Sequence, residues 1–181
     1  KLAIQKNKVG KSCLHISAEG GHYSCFLLIV AQIPKSLLDK VLSDKDNKGD
    51  NVLHKLMQTS KISSQILHWM QDAFANQAVL FPSLHDTNSL SETPLYLFLR
   101  DIVQKSSSGL KQDDTIDIFI KLLELIGFDC QKKLITILDA FNKSILHIGF
   151  ETGSIRLRDY FAGILSREQL NARFRDISAR L

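Results

Sequence analysis

The chain has 181 residues, with 23 Lys+Arg against 19 Asp+Glu for a formal charge of +4, 44% apolar and 23% charged residues, and only 9 Gly and 3 Pro. These values exclude wholesale disorder, collagen-like repetition and a disulfide scaffold. No apolar run approaches the ~20 residues of a membrane helix, and three scattered cysteines (Cys13, Cys25, Cys130) favour a reducing, cytoplasmic setting.

Taken in chain order, four segments align on a Leu-His or Leu-Tyr pair: Asn7 to Leu14-His15, Asp46 to Leu53-His54, Asn88 to Leu95-Tyr96 and Asp139 to Leu146-His147. Each opens with Asp or Asn, carries Gly, Ser or Asn three residues on, and reaches Leu at the eighth position. That pattern predicts a tight turn followed by a helix start, with Ser12, Asn51, Thr93 and Ser144 as N-caps. Pro94 falls at a first helical position, where its missing N–H costs nothing. In the first unit a short helix ends at Gly20-Gly21, and Gly153 ends its counterpart in the fourth. Second apolar helices are predicted over Tyr23–Val30, Ile62–Ala75, Thr115–Ile126 and Ile155–Leu165, where apolar residues recur at helical spacing. Trp69, spaced helically with Ile62 and Ile66, reads as core. The fold class is all-α. In the last stretch, Ser166-Arg-Glu-Gln169 reads as a capping box, and Leu170, Phe174, Ile177 and Leu181 form one helical stripe. This predicts a C-terminal capping helix over 166–181, or the start of a further unit.

On these residues the chain resembles a divergent ankyrin-repeat domain. The first unit carries Gly10, Ser12, Leu14, His15, Ala18, Gly21 and His22, and the third carries Thr93-Pro94-Leu95. The resemblance implies a solenoid of about four degenerate helix-turn-helix repeats within 1–165, bounded at 7–43, 46–85, 88–138 and 139–165. The anchor leucines are 39, 42 and 51 residues apart, against ~33 in the family. The extra residues fall between helices, at 32–43, 76–85, 105–114 and 130–138, with Lys105–Gly109 as the clearest loop.

Chemistry is set aside for stated reasons. Val9-Gly10-Lys11-Ser12 ends like a phosphate-binding loop, but Gln5 stands where the first glycine belongs. Cys13, His15, His22 and Cys25 are zinc-type donors at a spacing that matches no structural zinc class. No nucleophile motif appears, and Asp113-Asp114 suits a helix N-terminus. No enzyme activity and no cofactor are expected.

The resemblance implies a protein-binding module whose partner contacts flank the turn glycine and end the first helix. Carried over, these are Lys8, Val9, Lys11 and Glu19, then Asn47, Lys48, Asp50, Gln58 and Thr59. The third unit supplies Ser89, Leu90, Glu92, Arg100 and Asp101, and the fourth Ala140, Phe141, Lys143, Glu151 and Thr152. Val9, Leu90 and Phe141 share one turn position and would form an apolar contact ridge; their competing role is to pack a lengthened hairpin. A second expectation is the recognition arm of a larger enzyme or effector, since the chain opens on Lys1 and its last helix could be half a pair. A third is nucleic-acid or acidic-lipid binding, because six of seven arginines (Arg156, Arg158, Arg167, Arg173, Arg175, Arg180) lie in the last 26 residues. A solvated helix face explains those arginines better. The Lys-, Ile-, Ser- and Asn-rich composition resembles ankyrin proteins that intracellular bacteria deliver to host cytoplasm as effectors.

Overall fold

The computed structural model describes residues 5–58, 64–76, 81–106, 112–126 and 128–165. Eleven helices occupy them: α1 (Cys13–Glu19), α2 (Tyr23–Ala31), α3 (Lys35–Leu42), α4 (Val52–Gln58), α5 (Ser64–Asn76), α6 (Phe81–His85), α7 (Pro94–Ser106), α8 (Gln112–Glu124), α9 (Phe128–Thr136), α10 (Ile145–Glu151) and α11 (Ile155–Ile164). Among the described residues there is no strand, only the isolated bridges Lys6–Ser12 and Lys45–Asn51. The protein is all-α.

The four turns are built alike. The side-chain oxygen of Asn7, Asp46, Asn88 or Asp139 accepts the backbone N–H groups two and four residues on, at 2.7–3.1 Å. The same residue's carbonyl accepts the N–H three residues on. That third residue has positive φ: Gly10 and Gly49 at 76°, Ser91 and Asn142 at 59°. A type I turn closed by one left-handed residue is a three-residue hairpin loop, and glycine is needed most where space is also short. A Cβ on Gly49 would lie 2.9 Å from the Ser89 nitrogen of the next turn. The Asp or Asn that opens each unit therefore serves as the acceptor, while the residue three positions on takes the left-handed backbone.

The units stack in order: α1 packs on α4, α4 on α7 and α7 on α10, with α2 on α5 and α8 on α11 behind them. The anchor leucines Leu14, Leu53, Leu95 and Leu146 are all buried in this core. Behind the front helices, Phe26 meets Trp69 edge-on at 5.2 Å, and Phe98 stacks with Phe119 at 6.3 Å. Trp69 thus packs against the core as its spacing predicts.

Three insertions between predicted helices are themselves helical. Residues 35–42, 81–85 and 128–136 form α3, α6 and α9, which lead into the next front helix and pack on it. Amphipathicity explains α3 and α9: Val41 and Leu42, then Leu134 and Ile135, are buried at their C-terminal ends. Further on, α7 runs to Ser106 and α8 begins at Gln112, so part of the expected Lys105–Asp114 insertion is helix. The expected helix over 166–181 lies outside the described residues.

Candidate interaction surface

The turns form a row joined by backbone hydrogen bonds. Asn47 N–H donates to the Val9 carbonyl (3.2 Å), Ser89 N–H to the Lys48 carbonyl (3.1 Å) and Ala140 N–H to the Leu90 carbonyl (2.8 Å). Each acceptor is the residue two past the turn's Asp or Asn, so the side chains of Val9, Lys48, Leu90 and Phe141 follow one another along the row. Val9 is 52% exposed, Leu90 44% and Phe141 71%. All three side chains are exposed on the turns.

Rings one residue past the anchor lock the row to the helices. His15 Nδ1 accepts the Ser12 N–H at 3.2 Å, which leaves the proton on Nε2, 3.2 Å from the Asp50 carbonyl of the next unit. His54 spans the same junction, with Nε2 2.9 Å from the Glu92 carbonyl and Nδ1 beside Asn51, 3.1 Å from its N–H and 2.7 Å from its side-chain oxygen. In the third unit the Tyr96 hydroxyl donates to Asp139 at 2.5 Å. Burial lowers the pKa of both histidines, that of His54 to about 4, and keeps them neutral. Burial and the neighbouring Asp139 raise that of Tyr96.

Of the residues expected to contact a partner, Lys8, Val9, Glu19, Asn47, Lys48, Ser89, Leu90, Ala140, Phe141, Lys143 and Glu151 are exposed; Lys11, Gln58, Arg100, Asp101 and Thr152 are half-buried. Thr59 lies outside the described residues. Two placements need correcting: Asp50 and Glu92 are only 3% exposed. Asp50 accepts Lys55 Nζ at 2.5 Å, and Glu92 pairs with Arg100. Both face inward because the turn's last residue lies over the start of its own helix, where a cation can reach it. The two positions of the Glu92–Arg100 pair carry the opposite charges in the outer units, as Lys11–Glu19 (2.6 Å) and Lys143–Glu151 (2.7 Å).

A buried ionic cluster escaped sequence reasoning. Lys55, 3% exposed, bridges Asp50 and Asp46 (3.1 Å), and Asn88 Nδ2 joins Asp50 to Glu92 at 3.0 Å each. Burial alone would lower the Lys55 pKa and raise that of Asp46. Their hydrogen-bonded pairing outweighs it, leaving Lys55 raised and Asp46 lowered, so both stay charged. The signal was Lys55 itself, a lysine in register with Ile16, Leu97 and Ile148.

Elsewhere the chemistry of the residues is occupied. His15 has partners on both ring nitrogens, while His22 and Cys25 are exposed. Among the described residues no group of three or more His, Cys, Asp or Glu is placed to hold a metal ion. Arg156 pairs with Asp117 at 2.8 Å and Arg158 with Asp159 at 2.9 Å; the other four C-terminal arginines lie outside the described residues. No described helix is long and apolar enough to cross a membrane. The chain matches no protein-family model, and no curated protein has a sequence similar to it.

Proposed function

We propose that the chain is a divergent ankyrin-repeat solenoid that acts as a non-catalytic protein-binding module in a cytoplasm. The carrying observation is the row of hydrogen-bonded turns that holds Val9, Leu90 and Phe141 outward in one register. Apolar side chains on a backbone already fixed by hydrogen bonds cost little further backbone ordering on binding, and such anchors inside a polar rim carry most interface energy. Leu90 and Phe141 sit on adjacent, hydrogen-bonded turns, and the exposed polar residues Ser89 and Lys143 of those turns would supply the rim. The recognition-arm reading needs nothing different from this surface.

The test is capture of a partner from eukaryotic cytosol at ~150 mM salt and again at high salt, where exposed charge contacts are screened. Phe141→Ala should leave the melting temperature within about 2 °C, because little apolar area is buried there, and should weaken capture. Leu90→Asp with Phe141→Asp should abolish it at both salts. Retention of nucleic acid or phospholipid alone, lost at high salt, would move the function to the arginine-rich C-terminal segment. A large loss of stability in Phe141→Ala would end the ridge reading.

A further inference from the structure

The first unit presents to solvent a face that every later unit buries. Two residues past the anchor, Lys55 is 3% exposed, Leu97 1% and Ile148 4%, each on a front helix that packs on the front helix of the unit before it. Ile16 holds the same position and is 48% exposed. One residue before the anchor the pattern repeats: Val52, Pro94 and Ile145 are buried and Cys13 is half-buried. The turn agrees. Asn47, Ser89 and Ala140 each donate a backbone N–H to the preceding turn, whereas Lys8, at the same position, has no such acceptor among the described residues.

We infer that this N-terminal face is the docking surface for a further unit of the same design, joined in front of the first. The occupant is argued from continuity with the three junctions already formed. It must bring a turn carbonyl to Lys8 N–H and a short apolar front helix to Ile16, as α1 brings to α4 and α4 to α7. An interaction partner of other shape would leave one of the two unmatched. Stacked repeats gain stability from each added neighbour interface, and a terminal repeat that ends a stack normally turns a polar face outward. Ile16 is apolar at that position. The inference holds whether or not the turn ridge binds a partner.

The experiment inserts a copy of residues 7–45 ahead of residue 7, so that Lys45 of the copy runs into Asn7 as it normally runs into Asp46. The probe is therefore this chain's own first unit. The extended chain should melt several degrees higher, and the amide of Lys8 in the second copy should exchange at least tenfold more slowly. Ile16→Lys should be tolerated in the original chain and should abolish both gains when placed in the second copy. Unfolding of the original chain by Ile16→Lys would show that its own residues already cover this face. No rise in melting temperature and no protection of Lys8 would also overturn the inference. So would concentration-dependent self-association of the original chain that Ile16→Lys removes, because a second copy would then be the occupant.

Discussion

His54 is the side chain at which acid should first be felt. Its ring is fully buried, with Nε2 2.9 Å from the Glu92 carbonyl. Burial holds its pKa at about 4, against 6.5 for the free side chain, although Asp50 and Asp86 pull the other way. A base whose pKa is lower in the folded state binds its proton more readily when unfolded, so stability falls as pH falls. The contribution is complete above pH ~6.5 and disappears on descending to about 4; at 1.4 kcal/mol per pKa unit it is on the order of 3 kcal/mol. His15 is shifted in the same direction and adds to the slope. Urea midpoints measured from pH 7 to 4 should therefore drop steadily in the native sequence and clearly less in His54→Gln. Equal slopes would mean that His54 titrates normally.

At the scale of the element, α4 depends on its turn more than its neighbours do. Lys55 on α4 reaches back to Asp46 and Asp50 and pairs with both carboxylates in a buried cluster. Lys11, on the first turn, makes the comparable reach to Glu19 at the surface. Removing one member of a buried pair strands the other charges and costs about 3–5 kcal/mol, while exposed pairs are worth ~0–1 kcal/mol. Lys55→Ala should accordingly lower stability several-fold more than Lys11→Ala, as read by denaturant titration. A Lys55→Met variant tests the source of the loss. It restores apolar volume but leaves Asp46 and Asp50 uncompensated, so most of the destabilisation should remain.

At the scale of the molecule, the helix contacts of the described residues run between neighbouring units, and the proposed solenoid predicts stability that is additive along the stack. Phe161 on α11 is fully buried and lies against the backbone of α10 so closely that a Cβ on Gly149 would meet its ring at 2.3 Å. Phe161→Ala should cost about 3–5 kcal/mol, felt mainly at the C-terminal end. Hydrogen exchange should quicken first in α10 and α11, while α1 and α4 keep their protection. Uniform loss of protection along the chain would instead make the molecule one cooperative block.

Local chemistry made much of this legible. An Asp or Asn, a left-handed residue three positions on and a small polar N-cap are short-range requirements, so the sequence by itself determined the four turns and the starts of the helices that follow them, while the exposure of Val9, Leu90 and Phe141 was decided by the structure. The apolar second helices and the packing of the half-buried Trp69 followed from period. Long-range juxtaposition was beyond its reach. That Asp50 and Glu92 turn inward depends on Lys55 and Arg100, and nothing in a lysine's local sequence announces a buried ion pair. The helices α3, α6 and α9 look like spacers until the next front helix gives their apolar faces something to cover. Ile16 is one more apolar residue of a short helix in the sequence, and only the tertiary structure leaves it in water, at the position where Lys55, Leu97 and Ile148 are buried.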